Sequence, residues 1–141
     1  MTDFRLVISN PKTGISVQKE LKDPASKKLI GMKISDKVKG ELIDMTGYEF
    51  EITGGSDNCG FPMRKDVSGS ARKRILAVSG IGIKSKIAGM KTRKSVCGNT
   101  IHAKIVQINL KVIKEGKEPI VAPKKEGTAE GKAAPQKEEK K

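Results

Sequence analysis

Apolar and polar residues trade places with a period of two in several short runs, beginning with Phe4-Arg5-Leu6-Val7-Ile8, where Phe4, Leu6 and Ile8 share one face. Such alternation predicts a half-buried strand. Ile15, Val17 and Leu21 space a second run in the same way, and Asn10-Pro11-Lys12-Thr13-Gly14 between them has turn composition, so the two runs predict a hairpin. A short helix of about two turns is expected next. Asp23 would cap it, Pro24 would take its first position, and Gly31 would end it after Leu29-Ile30. Tyr48, Phe50 and Ile52 point inward from a third strand whose glutamates point outward. Arg74-Ile75-Leu76-Ala77-Val78 is more uniformly apolar, as a central strand would be, and the seven residues Val106 to Val112 alternate without a break. Together these features predict an all-β fold: a small β-barrel of about five to seven short strands with one short helix, because closure removes exposed strand edges in a chain too short for two packed sheets.

The pattern stops near Lys114. From there Lys, Glu, Pro, Gly and Ala dominate, aromatic residues vanish, and Ile120-Val121 is the main apolar content. The expected organisation is therefore a folded domain over residues 1–113 and a low-complexity tail over 114–141, disordered or extended along a partner. At 141 residues the chain has room for one domain of ordinary size. No run approaches the roughly 18 consecutive apolar residues of a membrane-spanning helix. Met1-Thr2-Asp3-Phe4-Arg5 lacks the basic and apolar segments of a secretory signal, so a cytoplasmic protein is expected.

Charge changes the picture more than composition does. The formal charge is +13, from 29 basic and 16 acidic residues, and it is unevenly placed. Residues 1–60 carry nine of each sign, whereas residues 61–113 carry twelve basic side chains against the single Asp66. The densest part holds Arg64, Lys65, Arg72, Lys73, Arg74, Lys84, Lys86, Lys91, Arg93 and Lys94. Concentrated positive charge repels itself in the free protein, and a polyanionic partner relieves that repulsion. Membrane lipid is the weaker candidate, since Gly60, Gly69, Gly80, Gly82 and Gly89 interrupt any long amphipathic helix. Nucleic acid is the expected partner, bound mainly through phosphates. Phe4, Tyr48, Phe50 and Phe61 are the only aromatic residues, and three of them lie on strand faces that a core would claim, which leaves no platform for base stacking.

Catalytic constellations fail on spacing or on missing members. Gly80-Ile81-Gly82-Ile83-Lys84-Ser85 has no glycine before its lysine, as a Walker loop needs, and Ser85 stands where a dinucleotide fingerprint has its third glycine. It reads as a flexible basic loop. His102 is the single histidine, and Cys59 and Cys97 lie 38 positions apart with no Cys-x-x-Cys pair. Neither a general-base pair nor a zinc site assembles from these donors, so no metal, cofactor or small-molecule substrate is expected.

The most unusual run is Ile52-Thr53-Gly54-Gly55-Ser56-Asp57-Asn58-Cys59-Gly60-Phe61-Pro62-Met63, which reads as a strand end entering a tight turn. Asp57 can bond neighbouring amides and Pro62 can fix the exit; the residues alone suit a structural turn and a binding loop equally. The run resembles the signature of the eukaryotic and archaeal small-subunit ribosomal protein six family, Gly-Gly-x-Asp-x-x-Gly-x-Pro-Met, at Gly54, Gly55, Asp57, Gly60, Pro62 and Met63. The resemblance continues through Leu6 to Gly14, Met63 to Val67, Gly98 to Ile101 and Ile105 to Leu110, nearly all of residues 3 to 113. It implies an rRNA-binding β-barrel that is a non-catalytic part of the small ribosomal subunit, with rRNA and neighbouring ribosomal proteins as partners and no homo-oligomer. The ten basic residues named above would then contact rRNA, with Arg64, Arg72, Arg74 and Arg93 as fixed phosphate contacts and the lysines as general affinity. Cys97 stands where family members more usually have arginine, and Ala71 falls in a segment often richer in arginine, so one or two contacts are expected to be lost. The long helix and phosphorylated serines of eukaryotic relatives have no counterpart in Lys114 to Lys141, which contains no serine; the chain looks archaeal in type. Two other readings compete on charge alone: a free-standing nucleic-acid-binding factor, and an RNA-acting enzyme that would have to rely on His102.

Overall fold

The computed structural model describes residues 3–84, 87 and 89–116. The first two runs form the expected hairpin of β1 (Phe4–Ser9) and β2 (Ser16–Leu21), paired from Phe4 opposite Leu21 to Ser9 opposite Ser16. Its turn closes through Asn10, whose amide bonds the Ile15 carbonyl at 2.9 Å and whose side-chain oxygen accepts from Lys12 N–H. Phe4, Leu6 and Ile8 are fully buried, as their alternation requires, whereas Ile15 lies just before β2 and is exposed.

β7 (Ile105–Lys114) is the centre of the sheet. It runs parallel to β1 on one side and antiparallel to β4 (Glu49–Asp57) on the other, and β3 (Lys37–Lys39) completes the order β2-β1-β7-β4-β3. Ile108, Leu110 and Val112 from β7 and Phe50 and Ile52 from β4 face the core with the β1 residues. Leu29, Ile43, Met63, Cys97 and Ile101 from the connecting segments cover that face. The seven-residue alternation seen in the sequence changes phase at its start: β4 pairs Ser56 with Gln107 but Asp57 with Ile105, and the extra β7 residue buries Ile105 and leaves Val106 half-buried.

The strand-rich class expected from the sequence is present, but the ladders do not close a barrel among the described residues. The sheet ends at β2 and β3, and a separate two-stranded ribbon pairs β5 (Lys73–Ala77) with β6 (Thr92–Val96). Closure is one way to manage strand edges; here β3 is only three residues long and carries Lys37 and Lys39, which blunts that edge without closure. The ribbon also corrects the expectation for Arg74 to Val78. With one strand neighbour and no layer over its outer face among the described residues, β5 leaves Leu76 57% exposed, and the apolar run is not a central strand.

The expected helix is α1 (Ala25–Leu29), five residues long with Pro24 before it as the N-cap rather than inside it. Asp23 accepts a hydrogen bond from the Ser26 hydroxyl. A second turn does not form because Ile30 is already extended and Gly31, at φ 94°, donates its N–H to the Ile101 carbonyl at 2.9 Å. A tertiary hydrogen bond thus replaces a helical one. At the other end of the chain β7 takes in Lys114, which donates to Glu49 at 2.9 Å, and Glu115 accepts from Asn10 at 2.9 Å. The expectation for the tail beyond residue 116 lies outside the described residues.

Candidate nucleic-acid interface

The signature run does not leave the sheet where the sequence suggested. β4 continues through Gly54, Gly55 and Ser56 to Asp57, with a register shift between Ile52 and Gly54, and the turn proper begins at Asn58. Gly55 has a steric reason: a Cβ there would stand 2.3 Å from the Gln107 carbonyl oxygen of β7 and 3.1 Å from the Met63 sulfur. Gly60, at φ 80°, lets the chain reverse, and the Asp57 N–H bonds the Phe61 carbonyl at 3.0 Å.

Asp57 holds the turn from inside. Its side chain is fully buried, one carboxylate oxygen accepting from the amides of Cys59 (2.8 Å) and Phe61 (3.0 Å) and the other from Arg72 Nε and the Cys97 thiol. Burial alone would raise the Asp57 pKa. The donors from Cys97, Phe61, Arg72 and Cys59 outweigh it, so the carboxyl titrates below its ordinary value. The Cys97 thiol is pushed up to about 11, first by burial and then by donating to that carboxylate. Arg72 also donates to Asn58 at 2.9 Å and lies over the Phe61 ring, 5.1 Å from its centre. The sequence had pointed to amide bonds for Asp57; Arg72 and Cys97, 15 and 40 residues away, give no local signal of their part.

Met63 is buried beside Gly55, and the chain from Pro62 to Arg64 runs parallel to Cys97 through bonds from Cys97 N–H to Pro62 and from Arg64 N–H to Cys97. This short parallel strip joins the ribbon to the main sheet. Asn99 ties down the next basic loop, its amide bonding the Val67 carbonyl at 2.8 Å and its side-chain oxygen accepting from Gly69 N–H at 3.2 Å.

The basic residues singled out from the sequence divide into two groups on this frame. Arg64 and Arg72 have protein partners. The Arg64 side chain is only 14% exposed, pairs with Asp66 at 2.7 Å and comes within 3.5 Å of the Ile81 carbonyl. Lys65, Arg74, Lys84, Lys91, Arg93 and Lys94 are exposed, and among the described residues their side chains make no hydrogen bond or ion pair; Lys73 has one long contact, 3.4 Å to the Ser68 carbonyl. Lys86 lies outside the described residues. On the ribbon, Leu76 pairs across to Arg93 and Arg74 to Ser95, so both arginines occupy its exposed face. Lys104 stands apart from the dense run in sequence, yet its carbonyl accepts from Asn58 N–H at 3.0 Å, which sets it beside the signature turn.

The arrangement has the chemistry of anion binding. Unpaired cations on a ribbon anchored to a packed sheet are presented at little ordering cost, and arginine forks suit phosphate oxygens. His102 is half-buried with its Nδ1 unpartnered among the described residues, and no cluster of His, Cys, Asp and Glu there could hold a metal ion.

Comparison with known proteins gives a consistent result. The family profile described as ribosomal protein S6e matches residues 4–124. A small ribosomal subunit protein eS6 of Archaeoglobus fulgidus is 45% identical over 119 residues, covering 84% of this chain and 92% of the relative. Proteins of the same description from Methanocella arvoryzae (44% identity; 94% and 97% covered) and Methanothermobacter thermautotrophicus (45%; 83% and 91%) are similarly related.

Proposed function

This chain belongs to the ribosomal protein S6e family, in its archaeal form, and we propose on that premise that it is a structural constituent of the small ribosomal subunit, in the cytoplasm, binding rRNA through phosphate contacts in support of translation. The observation that carries the reading is the set of exposed cations, unpaired among the described residues, on the ribbon and its flanking loops, held in place by the Asp57–Arg72 pair and the strip at Met63 and Cys97. Packing supplies rigidity to one half of the molecule, and the other half supplies charge. Neighbouring ribosomal proteins complete its surroundings, and no catalytic step is assigned to it.

Release of counterions from RNA makes the test quantitative. With roughly six phosphates neutralised, affinity for small-subunit rRNA should fall by about 10³ between 50 and 200 mM salt. A filter-binding titration reads this slope, and a nearly flat one would refute phosphate-driven binding. Sucrose-gradient sedimentation separates a permanent constituent from a free-standing factor: the protein should travel with small subunits at near one copy each, and recovery mainly in light fractions would favour the factor.

A further inference from the structure

The glycine-rich loop that failed as a nucleotide motif has a defined shape in its first half. Ile83 N–H bonds the Gly80 carbonyl at 3.1 Å, and Gly82 sits at φ 79°, the third position of a turn that demands a left-handed residue. Pro62 packs so close beneath that a Cβ on Gly82 would lie 2.7 Å from its ring. Arg64, held by Asp66, lies against Gly80 and the Ile81 carbonyl from the other side. The turn is thus wedged between the exit of the signature run and a braced arginine, although nothing in its own sequence requires rigidity.

Lys84 leaves this turn, and Lys94 comes from β6 across the ribbon. With Gly80, Gly82 and Ile83 they line a groove of about 390 Å³. Among the described residues neither ammonium has a protein partner, and no hydrogen bond there uses the amides of Ile81 or Gly82. Two cations 10 positions apart in sequence therefore converge on one concave site floored by glycine, where a ligand can approach the backbone closely. Arg74 and Arg93 belong to the ribbon's open face and not to this groove, and Lys73, although on the same face as Lys94, does not line it.

We propose that this groove is a subsite for a single phosphate of the RNA backbone, gripped by Lys84 and Lys94, and that Arg64 is a positioning residue that holds the turn in place rather than a phosphate contact. The inference rests on the rRNA-binding reading above and refines it, because it separates the basic residues by task. One phosphate shared by two lysines has a signature distinct from two independent contacts: loss of both lysines removes one phosphate's share of the salt slope rather than two.

The experiment measures binding of the full chain to small-subunit rRNA across a salt series. Lys84→Ala with Lys94→Ala should lower the slope of log affinity against log salt by about 1 and weaken binding about tenfold, with the melting temperature unchanged. A control pair, Lys22→Ala with Lys27→Ala, should leave the slope as it is. An unchanged slope in the Lys84/Lys94 pair, or a fall of about 2, overturns the shared subsite. In an Arg64→Gln background the lysine pair should cost clearly less than in the native protein; a full, additive cost overturns the positioning role. Inorganic phosphate that binds in a manner dependent on Lys84 and Lys94, yet lowers RNA affinity no more than chloride does at equal ionic strength, would assign the groove to free phosphate and overturn the RNA subsite. If the native protein shows no salt-dependent rRNA binding at all, the proposed function itself fails, an outcome separate from failure of the subsite.

Discussion

Replacing Asp57 by Asn tests the internal bracing of the basic half most directly. Asn is nearly isosteric and can keep one oxygen toward the amides of Cys59 and Phe61, but its other position becomes an NH₂ facing two donors, Arg72 Nε and the Cys97 thiol. Arg72 also loses its counter-ion. Removing one member of a buried charge pair costs about 3–5 kcal/mol, and because the Arg72 side chain is already 38% exposed and can rehydrate, the expected loss is nearer to about 2–3 kcal/mol. For a folded part of this size that corresponds to a fall in melting temperature of about 8–12 °C at pH 7.

The pH dependence supplies the second half of the argument. Asp57 titrates below its ordinary value in the folded chain, so its contribution is complete above the unfolded carboxyl pKa of about 3.9 and is lost as pH falls through the lower folded value. The native protein should therefore lose its advantage over Asp57→Asn only in acid, while the gap stays constant from pH 5 to pH 8 (about the range in which both states hold Asp57 ionised). Calorimetric or circular-dichroism melts of both proteins across that range give the comparison. A melting temperature within about 2 °C of native at pH 7, or a deficit that persists undiminished into acid, would refute the role given to the carboxylate.

Other substitutions separate fold from charge. Arg74→Ala with Arg93→Ala should reduce the salt slope of rRNA binding by about 2 and leave the melting temperature nearly unchanged, since neither guanidinium has a protein partner among the described residues; a large loss of stability would count against their exposure. Arg72→Ala should show the opposite balance, with a clear drop in melting temperature and a slope change well under 1. Gly55→Ala should destabilise by about 1–3 kcal/mol in urea unfolding, because the new methyl meets a backbone carbonyl of β7 that cannot move without breaking the central ladder. A neutral Gly55→Ala would mean that β4 and β7 do not approach so closely.

Local alternation makes β1, β4 and β7 legible in the sequence, because residues such as Phe4, Phe50 and Leu110 each sit on a strand with one face on the core. The same reasoning failed at Arg74 to Val78, where an apolar run belongs to a ribbon that has no covering layer among the described residues, and at β6, whose Thr-Arg-Lys-Ser-Val carries no alternation to detect. Strand pairing decided both cases, and pairing is a non-local property. The signature run was legible as special but not as strand, since glycines usually argue against a ladder; only the proximity of Gln107 explains why Gly55 is tolerated and required there.

Charge could be located from sequence but not sorted. Four arginines in the dense segment are indistinguishable by composition, yet Arg64 and Arg72 each have an acidic partner, Asp66 and Asp57, while Arg74 and Arg93 have none among the described residues. The two acidic residues differ in kind as well: Asp66 stands in the same loop, two residues away, whereas Asp57 reaches across from the end of β4. A guanidinium already holding a carboxylate must give up that bond to fork a phosphate, so paired arginines gain less from RNA than free ones do. Basic residues in such a segment therefore serve two purposes that mutation can tell apart, and an acidic partner, whether Asp66 inside the segment or Asp57 at the end of β4, marks the ones that hold the surface in shape for the others.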